Sequence, residues 1–468
     1  MKRSTLSILL HLLTAAIIAV NCSQDDGGNN TAGDNDYWTW VAGTSKQGDT
    51  GSYVNKGIPS PSSCPKVRYS SMSWKDSSGN LWLFGGSHYE GTSSSTMNDL
   101  WKFDGTNWTW ISNNSSSPKS GVYGTQGVAD AANYPGARFG GMCWTDSAGN
   151  LWLFGGRGFS SVYGETNEYL NDLWKFDGTN WTWIAGSNAG KQPGVYGNKG
   201  EAASANYPGA RCDGVYWTDS EGNLWLFGGT GYGSSSSAGA AELNDLWKFD
   251  GTNWAWIGGS NTINSGGSYG IKGTASSTNT PGARTDFASW KDSSGCLWIF
   301  GGYGRDGAGT SGILNDLWKF DGTNWTWVSG SDTTNSTGNY GTRGVASASN
   351  IPGARQQSKG CVDSSGNLWL FGGSGRISSD SAGNLNDLWK FDGTNWTWVS
   401  GSMKAEAPGS YGTKGVTSTS NIPGGKSSPE MWIDSTDNLW IFGGLRSYVT
   451  SNGSGCYNDV WKCEIKKY

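Results

Sequence analysis

The side chains of this chain suit acid–base and hydrogen-bonding chemistry and do not suit transition-metal chemistry. Only two histidines occur in 468 residues, His11 and His88. The cysteines show no CxxC spacing. Three or four convergent ligands for copper or zinc cannot be assembled from that set, so no metal and no cofactor is expected. What remains is a group of residues that break an otherwise repeated text. Lys359 and Glu430 share one aligned position, where other copies carry Met72, Met142, Val215 and Ala288. Asp213, Asp286 and Gln357 add polarity nearby. Opposite charges there form either a polar site or a plain ion pair between neighbouring units. Glu430, Lys359 or Arg305 could serve as acid or base. A second set stands in variable connections: Arg157, Tyr303, Arg305, Asp306, Arg376 and Arg446. Arg and Tyr are types expected in sugar or protein contacts. His88, Tyr89, Glu90, Tyr163, Tyr232 and Tyr448 stand in the same connections. The plain alternative for each is a solvated side chain of the kind any surface loop carries.

These positions have meaning because the chain repeats. The string LWLFGG, or a close variant, ends at Gly86, Gly156, Gly229, Gly302, Gly373 and Gly444, at steps of 70, 73, 73, 71 and 71 residues. A cation opens each unit: Arg68, Arg138, Arg211, Arg284, Arg355 and Lys426. Six residues later stands Trp74, Trp144, Trp217, Trp290, Cys361 or Trp432, and eight later an Asp in every copy. Trp fills five places per unit. The single loss at Cys361 leaves 29, so no Trp remains as a special ligand platform. A feature present in all six units serves packing, which the units share; one that varies is free to serve a ligand. On that ground the repeated Tyr and Lys/Arg of the long connections, such as Tyr196 with Lys199, read as staples. The repeated Arg reads as the partner of the Asp in Asn-Asp-Leu-Trp.

Each unit holds four short β-rich runs, A to D. Run A leads into a turn such as Asp363-Ser364-Ser365-Gly366-Asn367, whose Asp and Gly suit a tight hairpin. Run B is LWLFGG. Run C, DLWKF, alternates as a strand does, and Asp-Gly-Thr-Asn joins it to run D, NWTWV. Four antiparallel strands repeated six times predict an all-β fold, a six-bladed β-propeller. One such sheet cannot bury its aromatic faces alone, so neighbours must cover them. The segment Tyr37-Trp38-Thr39-Trp40-Val41 is a D run with nothing before it, and the unit beginning at Lys426 lacks a D run. The N-terminal strand is therefore expected to complete the last blade and close the ring, removing open edges. Short A–B and C–D turns sort to one face. Long B–C and D–A connections sort to the other, with the channel mouth, where function is expected.

The diglycine ending an apolar strand, the aromatic strand after a variable connection and the Arg before the innermost strand resemble the kelch repeat. The six-fold set is similar to the central propeller of the galactose-oxidase group over nearly all of residues 37–468. The period exceeds the usual kelch length of about 50 residues. The excess lies in long D–A connections, which carry Gly-x-Tyr-Gly-x-Lys-Gly and Asn-x-Pro-Gly-Ala-Arg, as at Gly194 to Gly200 and Asn206 to Arg211. Copper oxidation in that group takes histidines and tyrosines, and the histidines here do not supply it. Sialidase Asp-box turns place one residue between Asp and Gly, whereas Asp146-Ser147-Ala148-Gly149 has two. Kelch-type sugar epimerases need no metal, which keeps an enzymatic alternative open.

Lys2, Arg3 and the apolar run 6–20 predict an export signal over residues 1–21. Cys22 then stands where a bacterial lipoprotein is cut and lipidated. Asn21 is larger than the usual residue there, and ordinary secretion is the alternative. Residues 22–36 resemble the flexible tether of surface lipoproteins, and 37–468 form the propeller. The net charge is −5, or −7 without residues 1–21, which hold two cations and no acid. With no basic block, this argues against nucleic acid as a partner. Seven further cysteines at unrelated repeat positions predict one disulfide at most, with Cys456 and Cys463 the nearest pair. The expected protein is a monomer at the cell surface. It binds a glycan or protein through the B–C/D–A face rather than catalysing. The alternatives are a metal-free sugar-converting enzyme and, more weakly, a structural or adhesive role.

Overall fold

Runs of four to ten residues in which Trp, Leu and Phe alternate with polar residues cannot fill a core singly, and here they do so by stacking as sheets. The computed structural model describes residues 37–90, 93–112, 120–161, 167–446 and 455–465. The expected export signal, Cys22 and the tether lie outside these. Among the described residues every regular element is a strand. Blade 3 shows the plan. Strands A (Val215–Thr218), B (Leu224–Gly231), C (Ala241–Phe249) and D (Trp254–Gly258) pair antiparallel in that order. Register places Trp217 opposite Trp225 and Trp247 opposite Trp256. The other five A strands are Met72–Lys75, Met142–Thr145, Ala288–Lys291, Lys359–Val362 and Glu430–Ile433. The fold is an all-β propeller of six blades.

Six buried clusters sit at six blade junctions. Met72 and Trp74 of blade 1 meet Leu153 and Trp174 of blade 2. The last junction brings Trp432 and Phe442 of blade 6 onto Leu83 and Trp101 of blade 1. The diglycines fit these junctions closely. A Cβ on Gly85 would stand 2.5 Å from the Arg138 carbonyl oxygen of the next blade, and one on Gly443 would stand 3.1 Å from that of Arg68. The junction between blades 6 and 1 therefore uses the same contact as the others. The N-terminal strand Tyr37–Ala42 pairs with Val460–Glu464, Trp38 opposite Cys463 and Trp40 opposite Trp461. The expected completion of the last blade is what the chain does.

The long D–A connections have two structural tasks. Each lays a short run along the outer edge of strand D. Ala202–Ala203 pairs with Trp254 and Ala255, and Thr417–Ser418 pairs with Trp38 and Thr39. Single bridges do the same at Ser60–Trp108, Asp130–Trp181, Ser276–Trp325 and Ser347–Trp396. Exposed sheet edges are thereby covered. Each connection also staples a buried ion pair. Arg211 donates two bonds to Asp245, at 2.6 and 2.7 Å, and both side chains are fully buried. The Tyr196 hydroxyl and the Trp247 indole add donors to the same carboxylate at 2.6 and 2.8 Å. All six blades repeat this, with Tyr53, Tyr123, Tyr269, Tyr340 and Tyr411 in the Tyr196 role. Lys426 takes the Arg role at 2.8 and 2.9 Å from Asp459. Burial opposes the charge on Asp99, yet Arg68, Tyr53 and Trp101 outweigh it and hold that carboxyl below its ordinary range. The connection cations lie over Trp rings: Lys199 4.4 Å from Trp256, Lys272 4.2 Å from Trp327 and Lys414 4.5 Å from Trp40. Repeated Tyr and Lys are thus internal fastenings.

Candidate functional site

Two residues after each opening cation the backbone turns left-handed. Ser70, Gly140, Asp213, Asp286, Gln357 and Ser428 have φ of 49, 63, 54, 57, 59 and 48°. The cause is local. In blade 3, Cys212 pairs with Thr230 and Val215 pairs with Phe227. Between these rungs Asp213 faces the diglycine Gly228–Gly229, itself at φ 67 and 93°. Both strands kink together. The six left-handed residues meet around the channel and hydrogen-bond through the backbone from blade to blade. Gly140 donates to Ser70 (2.9 Å), Asp213 to Gly140 (2.8 Å), Asp286 to Asp213 (3.2 Å), Gln357 to Asp286 (2.6 Å) and Ser428 to Gln357 (2.8 Å). This collar fixes the place of each side chain at the channel mouth.

Below the collar lies a cavity of about 300 Å³, walled by the starts of all six A strands. Lys359 and Glu430 enter it from adjacent blades, with Lys359 Nζ 3.7 Å from Glu430 Oε2. The same oxygen accepts a bond from Ser73 Oγ at 2.6 Å. Glu430 is 4% exposed, and its Oε1 has no hydrogen-bond partner. Asp213 and Asp286 are half-buried and open on the cavity. Burial, then the neighbouring Asp213, push the Asp286 carboxyl well above its ordinary range, while Gln357 and Lys359 draw it down. Burial also raises Asp213, against Cys212, Lys359 and Arg157, and raises Glu430, against Lys359 and Ser73.

The other candidates stand outside the cavity, and the arginines and Tyr303 stand on strands. The B–C connections are extended hairpins: Arg157 pairs with Tyr169, Tyr303 with Ile313, Arg305 with Ser311, Arg376 with Ala382 and Arg446 with Gly455. Arg157 donates from Nε to the Asn167 carbonyl (3.1 Å) and lies over the Tyr169 ring at 5.3 Å. The Tyr303 hydroxyl accepts from Ser311 at 3.0 Å. Arg305 reaches the Gly309 carbonyl at 3.5 Å. Asp306 is 3% exposed and folds its own turn, accepting the N–H groups of Ala308, Thr310 and Thr334. Arg446 donates to the Glu406 carbonyl at 2.8 Å. Arg376 makes no side-chain bond or ion pair among the described residues. His88 and Tyr232 are buried. Tyr163, Tyr448 and the side chains of Tyr89 and Glu90 lie outside the described residues. Lys359 and Glu430 are therefore brought together with Asp213 and Asp286, and Arg157 joins them only as a more distant charge.

The raised carboxyls carry a stability consequence. Below the unfolded value of Asp, about 3.9, the proton is present in both states and Asp286 costs nothing. As pH climbs through the folded value, the protein must hold a proton the unfolded chain has released or bury a charge, and stability is lost. Asp286→Asn, which tolerates positive φ, is expected to raise the melting temperature by about 1–3 °C at pH 7. The gap should close below about pH 4. A variant melting below the parent at pH 7 contradicts this.

No family model and no curated protein matches the chain. Among solved structures, one titled as the structure of YjhT is 12% identical, with TM-score 0.47, covering 85% of this chain and 95% of that one. A protein of unknown function from Dyadobacter fermentans is 9% identical, with TM-score 0.44, covering 91% and 98%. A fungal alcohol oxidase of the AA5 family, in complex with copper, is 13% identical, with TM-score 0.43, covering 87% and 76%.

Proposed function

We propose that this protein binds a small polyhydroxylated ligand, such as a glycan end, at the mouth of its central channel on the B–C/D–A face. The observation that carries this reading is where the repeat breaks. Residues shared by six blades are spent on ion pairs, staples and junctions. Four charged residues that differ between blades, Lys359, Glu430, Asp213 and Asp286, converge on one cavity. Its volume of about 300 Å³ falls at the lower end of small-molecule sites, roughly 300–1,000 Å³. One residue before the collar, Tyr69 and Phe139 stand half-buried with ring centroids 6.4 Å apart, an apolar surface for a sugar ring. Export and a lipid anchor at Cys22 remain part of the proposal and rest on the sequence alone.

The test is binding of the purified protein to a glycan array, repeated with Lys359→Met and Glu430→Gln. Losing a hydrogen bond to a charged group costs about 1.5–3 kcal/mol, so affinity should fall roughly ten- to a hundredfold. Unchanged binding in both variants, with loss in Arg376→Ala, would move the site to the outer hairpins.

A catalytic reading is favoured by one observation. Burial and Asp213 push the Asp286 carboxyl well above its ordinary range, and a carboxyl so placed in one cavity with Lys359 and Glu430 fits metal-free proton transfer on a sugar. Exchange NMR of reducing sugars with the protein present decides this. Exchange rates equal to those in buffer exclude it for the sugars tried.

A further inference from the structure

Asp213 and Asp286 are consecutive residues of the collar, tied by the Asp286 N–H to the Asp213 carbonyl at 3.2 Å. Asp213 leans over the only glycine of the collar. A Cβ on Gly140 would stand 2.4 Å from Asp213 Oδ1, so that glycine leaves the carboxylate its space. Neither carboxylate has a cation in ion-pair contact among the described residues. Lys359 is engaged with Glu430, and Arg157 with the Asn167 carbonyl and the Tyr169 ring. Lys75, the remaining cation of the cavity wall, turns its ammonium to the Ile433 carbonyl at 2.8 Å. A third acceptor waits in the same cavity: Glu430, nine-tenths buried and more, has Oε1 without a partner. The cavity thus holds more carboxyl groups than cations. Its three carboxyl groups face the Lys359 ammonium, which lies 3.7 Å from Glu430 Oε2.

We propose that Asp213 and Asp286 form an ammonium subsite, so that the ligand of the channel is an amino sugar with a free primary amine. The inference rests on the reading that the channel takes a small polyhydroxylated ligand, and names its class. An ammonium brings three donors to one point, which two adjacent carboxylates can accept, while the open Glu430 oxygen in the same cavity can take a hydroxyl elsewhere on the ligand. A neutral hydroxyl brings one donor and leaves the pair of like charges unrelieved. An acidic sugar would add a fourth negative group. A divalent cation is the other natural occupant of paired carboxylates. No third His, Cys, Asp or Glu joins them as a ligand among the described residues.

Glucosamine, glucose, N-acetylglucosamine and calcium are titrated into the whole protein by calorimetry. Glucosamine is expected to bind at least tenfold more tightly than glucose or the acetylated sugar. Asp213→Asn and Asp286→Asn should remove that preference, since both keep shape and tolerate the left-handed backbone, with a thermal melt confirming the fold. Equal affinity for glucose and glucosamine, lost in Lys359→Met, overturns the ammonium subsite and leaves the channel reading standing. A preference that survives both Asn variants overturns it as well, as does calcium binding more tightly than glucosamine. No binding of any of the three sugars overturns the subsite and the channel reading together.

Discussion

Arg211→Ala is expected to destabilise the protein by roughly 3–5 kcal/mol, because removing one partner of a buried ion pair strands the other charge. Asp245 is fully buried, and after the substitution it keeps only the Tyr196 hydroxyl and the Trp247 indole as side-chain donors. The Gly209 and Gly228 carbonyls lose a donor too, at 2.9 and 3.2 Å in the parent. For a chain of this size the melting temperature should drop on the order of 3–6 °C. Two companions separate charge loss from packing loss. Arg211→Met with Asp245→Leu removes both charges and should recover much of the loss. Arg211→Lys should cost less than Ala, since Lys426 already fills this role against Asp459. An Arg211→Ala variant melting within about 1 °C of the parent would show that these six pairs do not hold the blades.

A chain beginning after Ala42 is expected to self-associate more than the complete domain. The strand Tyr37–Ala42 lies between Val460–Glu464 and the short run Thr417–Ser418, and its loss bares both. Trp38 is 1% exposed and fills the junction core with Trp461 and Phe371. Deleting a buried Trp side chain alone costs about 3–5 kcal/mol, and an open aromatic edge invites pairing with other chains. Size-exclusion chromatography of the truncated and complete domains is the measurement. A truncated chain that elutes as a monomer and melts like the parent would mean that the ring is held closed elsewhere.

The blades were legible because their chemistry is uniform. Trp at fixed offsets, the Asp of each A–B turn and the Arg–Asp pairing follow from a packing problem solved six times in one way. Ring closure followed from the unmatched D run at Tyr37. Less was legible where backbone geometry, and not residue type, carries the information. The collar residues are Ser, Gly, Asp, Asp, Gln and Ser, which share no side-chain signature; what they share is positive φ, imposed by the diglycine opposite. Ala202–Ala203 and Thr417–Ser418 have no strand pattern, since they only cover an edge. Tyr53 was hidden because Ser52-Tyr53-Val54 departs from the Tyr-Gly spacing of the other connections. The B–C connections vary in sequence, yet their first residues continue strands B and C, so Arg157, Tyr303 and Arg376 stand on rigid hairpins. At the channel, Lys359 and Glu430 were visible as exceptions within an aligned column. The raised Asp213–Asp286 pair was visible only as nearby polarity, because its adjacency depends on the collar.

The closing strand also sets how the ring answers to force. Tyr37 lies opposite Glu464, and Ala42 opposite Val460, so the first and last residues of the domain leave from the same end of one strand pair. A pull between the two termini would load the Tyr37–Glu464 rung alone, then the next, and peel the seam open one rung at a time. A pull between residue 37 and something gripped in the channel acts differently. That tension runs lengthwise along Tyr37–Ala42, and every rung to Val460–Glu464, together with the two to Thr417 and Ser418, resists in shear at once. The same seam is mechanically weak between its own ends and strong between its leading end and the channel.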